Sequence, residues 1–192
     1  MNPNEVLALF KDTGALLQGH FQLRSKLHSD QFFQCAMVLR YPRIAARLCE
    51  AVVEQMRAGP KSVWPAAGVI APAMGGIVVG HEIARILNVK SIFVEKQEGK
   101  LVLRRGFEIG AGERYIVAED VITRGGRVQE TIDIVTQAGG VVTAVAVLVD
   151  RSGGKASFAQ PTFSLLRMEP VTFEPDRCPL CARGEPLVHP GS

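Results

Sequence analysis

The sequence predicts an α/β fold in which helices cover both faces of a parallel sheet. From position 67 onward, short apolar runs alternate with segments of helical spacing, a pattern typical of parallel sheets. The run at 141–149 is almost wholly apolar, as expected of a strand that is covered on both faces. We therefore expect ligands at the carboxyl ends of the strands, where open parallel sheets bind them.

Residue spacing locates the individual elements in chain order. A first helix is predicted at 4–11, with Gly14 as its stop, and Pro42 suits the first position of a long amphipathic helix that ends at Gly59. The other predicted elements are strands at 16–23, 31–38, 67–71, 91–94, 115–118 and 141–149, and helices at 77–87 and 126–138.

Composition favours one domain of ordinary size and excludes several classes of protein. The chain has 192 residues, of which 47% are hydrophobic, so it can bury a full core. A net charge of +3 without runs of like charge does not indicate a nucleic-acid partner. No apolar stretch approaches the roughly 18 residues of a membrane span, and the N-terminus lacks a leader pattern. The isolated Cys35 and Cys49 do not form a disulfide framework, and we expect a cytoplasmic protein.

The most informative motif is Tyr-Ile-Val-Ala-Glu-Asp-Val-Ile-Thr-Arg-Gly-Gly-Arg at 115–127. Gly125 and Gly126 open the predicted helix, where backbone N–H groups and the helix dipole favour a phosphate. The carboxylates of Glu119 and Asp120 would repel that phosphate, but they suit ribose hydroxyls, which donate hydrogen bonds to them. A sugar phosphate satisfies both halves of the motif. The plain alternative is a turn flanked by acidic residues.

This thirteen-residue string resembles the phosphoribosyl pyrophosphate signature of the type I phosphoribosyltransferases. The resemblance implies their parallel sheet, a small N-terminal hood mainly at 1–40, and Mg2+ bound with the pyrophosphate and held largely by that ligand. It also implies that Glu119 and Asp120 hold the ribose, with Asp120 among the catalytic residues. The residues expected to wrap the 5′-phosphate are Val121, Ile122, Thr123, Arg124, Gly125, Gly126 and Arg127. Arg124 and Arg127 depart from the small or hydroxyl residues that are usual there.

Flanking segments resemble the orotate phosphoribosyltransferases in particular, over most of the chain. The resemblance places Arg24 beside the base and the pyrophosphate, and the aromatic pair Phe32 and Phe33 beside the base. Arg151 matches the arginine that binds the orotate carboxylate, and Thr123 matches a second base contact. An arginine fork suits a carboxylate on physical grounds as well. Taken alone, the phenylalanines would be core residues and Arg151 a solvated loop residue.

Two further segments resemble mobile parts of that family's active site. Residues 71–76 match the pyrophosphate loop, with Ala73, Gly75 and Gly76 as contacts, although relatives often carry a lysine at the position of Gly75. Residues 96–106 match the catalytic loop, which in relatives reaches across a homodimer, and they lack the histidine that many relatives have there. Its candidate catalytic residues, suited to stabilising charge on departing pyrophosphate, are Lys96, Lys100, Arg104 and Arg105. The plain alternatives are an ordinary turn and a solvated basic hairpin.

The tail at 175–192, which follows a single domain at 1–174, carries Cys178 and Cys181 in a CxxC motif. One such motif supplies half of a structural zinc site. A symmetric dimer could bring two pairs together, or His189 and another residue could complete the set. Unligated thiols are the alternative.

The combined expectation is transfer of a phosphoribosyl group from phosphoribosyl pyrophosphate to orotate, without nucleic-acid or membrane partners. A phosphoribosyltransferase for a purine would keep the 119–127 segment but would not need Arg151 or the phenylalanine pair. A regulator that senses phosphoribosyl pyrophosphate and binds nucleic acid is the non-enzymatic rival, although no basic stripe supports it. A nucleotide-binding oxidoreductase is disfavoured because no G-x-G-x-x-G follows an early strand.

Overall fold

The computed structural model describes residues 1–23, 25–169 and 171–190. The helices are α1 (Pro3–Asp12), α2 (Ala36–Leu39), α3 (Pro42–Ala58), α4 (Gly75–Leu87), α5 (Gly126–Gln137) and α6 (Pro179–Ala182). The strands are β1 (Leu16–Gln22), β2 (His28–Phe33), β3 (Gly68–Pro72), β4 (Lys90–Gln97), β5 (Lys100–Leu103), β6 (Arg114–Ile122), β7 (Val141–Asp150), β8 (Thr162–Arg167) and β9 (Thr172–Phe173).

The main sheet has the strand order β5-β4-β3-β6-β7-β8. Its strands are parallel except for β5, which pairs antiparallel with β4 at the edge. The chain builds outward from β3 in one direction to β4 and in the other to β6, so strand order reverses between β3 and β6. Such a reversal opens a crevice at the carboxyl ends of the two strands, where ligands of parallel sheets bind.

Alternate residues of the central strands face two separate apolar cores. Ile116 and Ala146 face the core that contains α3 and α4, whereas Val117 and Val145 face the core that contains α5. Side chains alternate between the faces of a strand, so this division shows helices on both faces. The predicted fold class is confirmed.

A second, smaller sheet has the order β1-β2-β9 and pairs the first two strands of the chain with the last one. The C-terminal segment returns to this sheet: the N–H of Val188 donates to His20 O at 2.8 Å, and the N–H of Gln22 donates to Val188 O at 2.9 Å. The predicted hood is therefore built from both ends of the chain. The division into a domain at 1–174 and a separate tail stays a prediction.

Several predicted boundaries are wrong in part. The strand predicted at 31–38 ends at Phe33, and Ala36–Leu39 forms a helical turn that buries both Val38 and Leu39. An extended strand would direct those neighbours to opposite faces. The strand predicted at 115–118 continues to Ile122, because its ladder with β7 holds as far as the pair Ile122↔Asp150. Strands β5, β8 and β9 were not predicted.

Within the described ranges, no helix combines the length and the apolar character that crossing a bilayer requires.

Candidate active site

Two loops meet at the crevice between β3 and β6. The β3–α4 loop is residues 73–74 and the β6–α5 loop is residues 123–125, and their strands pair directly through Ile70↔Val117. Each loop leads into a helix whose N-cap residue, Met74 or Gly125, makes no side-chain capping hydrogen bond. The first-turn N–H groups of a helix need partners from outside the helix. Two helix N-termini suited to anions therefore lie side by side.

The space at the start of α5 is open. A Cβ atom on Gly126 would meet nothing within 4 Å, whereas one on Gly125 would lie 2.9 Å from Cζ of Phe158. Gly125 also has a φ of +77°, the left-handed conformation that favours glycine. Thr123 and Arg124 are exposed beside this opening. The loop thus has room for a phosphate group at the helix N-terminus.

The two acidic residues lie at the carboxyl end of β6 and differ in exposure. Glu119 is 2% exposed, and its pKa is raised to about 9 by burial first and then by the charge of Asp120. Asp120 is half-buried, and its N–H donates to Oε1 of Glu119 at 3.1 Å. A buried carboxyl and a more accessible carboxylate therefore stand next to each other, close to the opening at Gly126.

Gly75 and Gly76 lie directly over these carboxyl groups. A Cβ on Gly75 would fall 2.1 Å from Oδ2 of Asp120, and one on Gly76 would fall 2.9 Å from Oε1 of Glu119. Both distances are shorter than van der Waals contact permits. In this structure the side chain of Asp120 occupies the space that a Cβ at position 75 would need.

Arg127 connects the two loops. Its Nη2 donates a hydrogen bond to Ala73 O, and its Nε lies 3.8 Å from Oε2 of Glu119. The Arg127 charge acts to lower the pKa of Glu119, but burial outweighs it. In this structure Arg127 contacts the β3–α4 loop and the buried carboxyl group.

Arg151 follows β7 and is buried, with 9% of its surface exposed. Its N–H donates to Ile122 O at 2.8 Å, and its guanidinium carbon lies 4.9 Å from the ring centroid of Phe33. The Nε atom is buried and finds no hydrogen-bond partner among the described residues. Burial lowers the pKa of Arg151. A buried guanidinium without an acceptor is unfavourable, so its position suits an anionic ligand.

The sequence analysis did not identify Cys35 as part of this region. Burial raises the pKa of its thiol well above the usual value, Asp120 and Glu119 raise it further, and Arg151 lowers it. The charges of Asp120, Glu119 and Arg151 thus all act on the pKa of one buried thiol, although these residues come from β6 and from the end of β7. An isolated cysteine carries no sequence signal for such a position.

Comparison with known proteins supports the same assignment. No protein-family model matches the chain. A curated orotate phosphoribosyltransferase of Desulforamulus reducens is 47% identical over 193 residues, covering 100% of this chain and 98% of the relative. The orotate phosphoribosyltransferase of Caldicellulosiruptor bescii is 48% identical over 192 residues, with the same coverage of both chains. The chain belongs to the orotate phosphoribosyltransferase family.

A solved orotate phosphoribosyltransferase structure, from Aeropyrum pernix, has the same fold. It superposes with a TM-score of 0.72 at 23% identity, covering 85% of this chain and 93% of that one.

Phe32 and Phe33, which were predicted to lie beside the base, face opposite sides of the hood sheet. Phe33 is buried, and its ring contacts the Arg151 guanidinium. Phe32 points the other way and packs 5.9 Å from Phe21, centroid to centroid. Arg24, the predicted contact to base and pyrophosphate, lies outside the described residues.

The predicted catalytic segment forms a β-hairpin at the sheet edge. Val94 is paired both with Pro72 at the end of β3 and with Leu103 of β5, so the hairpin tip extends past the carboxyl edge of the sheet. Arg105 is held by two hydrogen bonds to Glu95, of 2.7 and 2.9 Å. The exposed residues Lys96, Lys100 and Arg104 make no ion pair with any described residue.

The tail cysteines lie against the hood and not between the two loops. Sγ of Cys181 is 3.3 Å from Nδ1 of His28, and Sγ of Cys178 is 3.5 Å from Nε2 of His20. His189 is exposed and is not part of this group. The sequence analysis did not identify His20 and His28 as companions of the CxxC motif.

Proposed function

We propose that this protein transfers the phosphoribosyl group of phosphoribosyl pyrophosphate to orotate, giving orotidine 5′-monophosphate and pyrophosphate. The observation that carries the proposal is the buried Arg151, whose Nε has no partner among the described residues and whose backbone N–H donates to Ile122 O, at the end of the strand that carries Asp120. Membership of the orotate phosphoribosyltransferase family gives the same reaction.

The sugar phosphate would occupy the β6–α5 side of the crevice. Its 5′-phosphate would accept hydrogen bonds from the N–H groups at the start of α5, where Gly126 leaves open space. The ribose hydroxyls would donate to Asp120 and Glu119. Because such donors favour the ionised form of a carboxyl group, binding should lower the raised pKa of Glu119.

The pyrophosphate would lie over the β3–α4 loop, at the N-terminus of α4. A divalent cation suits this place as part of the ligand: Mg2+ commonly binds through substrate phosphates, water and only one or two carboxylates. Among the residues that the structure describes, Asp120 is the accessible carboxylate closest to Gly75. We propose that Mg2+ enters with the pyrophosphate and that Asp120 is the side chain nearest to it.

Orotate fits the Arg151 position better than a purine does. Orotate carries a carboxylate, and a guanidinium can bind a carboxylate with two parallel hydrogen bonds. A purine would leave the buried guanidinium without a charged acceptor, which is unfavourable. The ring of Phe33 holds the guanidinium from one side through a cation–π contact.

The reaction breaks the bond between the anomeric carbon and pyrophosphate and forms a bond to the base nitrogen, through an oxocarbenium-like state. Charge develops on the leaving pyrophosphate, and basic side chains placed beside it lower the barrier. The hairpin offers Lys96 and Lys100 near its tip and Arg104 at its base for that role. We propose a homodimer in which the hairpin of one chain serves its partner's crevice. A cytoplasmic location and the absence of a nucleic-acid partner stay predictions.

The direct test mixes purified protein with Mg2+, phosphoribosyl pyrophosphate and one base at a time, and follows the absorbance of the base. We expect turnover with orotate and none with purines. Turnover with a purine instead would move the assignment to a different phosphoribosyltransferase. Saturable binding of phosphoribosyl pyrophosphate without turnover of any base would favour the sensing regulator.

Arg151→Ala tests the base site within that assay. A hydrogen bond to a charged group contributes about 1.5–3 kcal/mol, so we expect the KM for orotate to rise about 10- to 100-fold. The KM for phosphoribosyl pyrophosphate should stay close to the wild-type value. Arg151→Lys keeps the charge but loses the forked geometry of the guanidinium. Its KM for orotate should lie between those of the wild type and Arg151→Ala. The control is Arg85→Ala, at the exposed last turn of α4. Equal rises in both KM values would remove Arg151 from the base site.

A further inference from the structure

Two histidines of the hood and two cysteines of the tail form a compact group at the end of the hood hairpin that carries the β1–β2 turn. The group is His20, His28, Cys178 and Cys181, and its potential ligand atoms all lie within 4.8 Å of one another. His20, His28 and Cys178 are buried, and Cys181 is exposed. Although positions 28 and 178 are 150 apart in sequence, the fold brings the four side chains together.

The separations agree with a tetrahedral metal centre. Zinc bonds of roughly 2.0–2.3 Å at tetrahedral angles separate the ligand atoms by roughly 3.3–3.8 Å. The sulfur–nitrogen distances here are 3.5 Å (Cys178 to His20), 3.6 Å (Cys181 to His20) and 3.3 Å (Cys181 to His28). The imidazole nitrogens of His20 and His28 are 2.9 Å apart, so they would separate by roughly 0.4 Å around an ion.

The remaining hydrogen bond of His20 orients it as a ligand. Its Nδ1 lies 2.8 Å from Glu185 O, and a carbonyl can only accept, so Nδ1 carries the proton. The lone pair of the neutral ring is then on Nε2, the atom that faces His28 and both sulfur atoms. Histidine ligands usually donate their other ring N–H to a carbonyl or a carboxylate in this way.

Two alternatives without a metal explain less of this arrangement. A hydrogen bond from His28 to His20 accounts for the imidazole pair, but it gives no reason for two thiols to converge on the same nitrogens. Cys178 and Cys181 are not joined in a disulfide.

We propose that His20 Nε2, His28 Nδ1, Cys178 Sγ and Cys181 Sγ bind one structural zinc ion within a single chain. Binding releases the thiol protons of both cysteines, and the two thiolates and two neutral imidazoles then balance the charge of Zn2+. Four protein ligands leave no open position, which is the pattern of structural and not catalytic zinc. The site is separate from the proposed transferase reaction and does not depend on it.

The ion would fasten the tail to the turn end of the hood hairpin. His20 lies in β1 and His28 begins β2, while Cys178 and Cys181 flank and enter α6. Few other contacts hold this junction: β9 pairs with β2 at two positions, and Val188 pairs with β1. Because His20 and His28 flank the turn between β1 and β2, the ion would fix where that turn begins and ends.

Metal analysis of the full chain, purified without a polyhistidine tag, tests the proposal. We expect about one zinc per chain by mass spectrometry, as four ligands in one chain require. After exchange, Co2+ should give the intense visible bands of tetrahedral coordination and a thiolate-to-metal charge-transfer band. About half a zinc per chain would show that cysteines of two chains share the ion, and it would overturn the single-chain site. Metal-free protein that also fails to take up added Zn2+ or Co2+ would overturn the site altogether.

Substitutions identify the ligands. His28→Ala and Cys181→Ser should each reduce bound zinc at least about tenfold, whereas His189→Ala, the exposed histidine of the tail, should retain it. Unchanged zinc in His28→Ala would contradict the proposal.

Because the ligand variants could fold poorly, a second measurement uses the wild-type chain. Chelation should lower the melting temperature and speed tryptic cleavage at Arg177 and Arg183, and re-addition of Zn2+ should reverse both effects. Identical cleavage with and without zinc would show that the ion does not hold the tail.

Discussion

The β3–α4 loop and the β6–α5 loop both bring a pair of glycines to the start of a helix, but the space around the two pairs differs. Gly75 and Gly76 are packed against Asp120 and Glu119, so that a Cβ on either would collide with a carboxyl group. Gly126 faces open space. The same residue type therefore makes room for the protein's own side chains in one loop and for a ligand in the other.

This difference separates two roles that the sequence analysis treated as one. Both loops were predicted to approach an anion closely with their backbone. The structure adds that the β3–α4 loop also fixes the position of the carboxyl groups expected to hold the ribose. Substitutions in the two loops should therefore change different kinetic parameters.

Gly75→Ala should have the largest effect. Its Cβ would lie 2.1 Å from Oδ2 of Asp120, so the carboxylate or the loop must move. A misplacement of about 1 Å in an active site can reduce the rate about 100-fold, and we expect a loss of that order in kcat. Steady-state kinetics with orotate would measure it. The second substitution Asp120→Ala should add little to the loss, because the first already displaces that side chain. Near-normal kcat in Gly75→Ala would contradict the packing argument.

Gly126→Ala should have an intermediate effect, confined to the phosphate side. The added methyl group meets no protein atom within 4 Å, so the melting temperature should stay near the wild-type value. The same methyl would occupy space proposed for the 5′-phosphate. We expect the KM for phosphoribosyl pyrophosphate to rise about tenfold, equivalent to about 1.4 kcal/mol, with the KM for orotate unchanged. A raised KM for orotate alone would place the phosphate elsewhere.

Glu119→Gln should change stability as well as kinetics, and the change in stability should depend on pH. Burial raises the pKa of Glu119 from 4.5 to about 9. Below pH 4.5 the Glu119 carboxyl is protonated in both the folded and the unfolded chain. Between pH 4.5 and 9 it ionises only in the unfolded chain. The stability of the wild type therefore falls as the pH rises through this window. Glutamine cannot ionise. The free energy of unfolding of the variant should therefore rise, relative to that of the wild type, by up to about 1.4 kcal/mol per pH unit in this window.

Thermal melts from pH 4.5 to 9 would measure that difference. The matched control is Glu54→Gln, at an exposed position on α3, which should follow the wild-type curve. A constant offset between Glu119→Gln and wild type at every pH would show that Glu119 is ionised in the folded protein.

Local patterns were sufficient to predict most of the main sheet. The apolar run of β7 is contiguous in sequence and is typical of a buried parallel strand. The glycine pair at 125–126 and the acidic pair at 119–120 follow the strand β6, and their roles in binding stay predictions. Strands β8 and β9 were missed because they are short and lack alternation. The segment at 36–39 was mistaken for strand because a short apolar run does not reveal its periodicity.

What the sequence determined by itself is the fold class and the likeness to the orotate phosphoribosyltransferases, since contiguous residues carry both. The phosphate cradle at 123–127 stays a prediction. Only the tertiary structure decided which distant residues share a site. It places Phe33 under Arg151, Arg127 against Ala73, and His20 and His28 beside the tail cysteines. The physical reason is that such contacts depend on strand pairing and on the return of the chain end to the hood, and no local pattern records either of them.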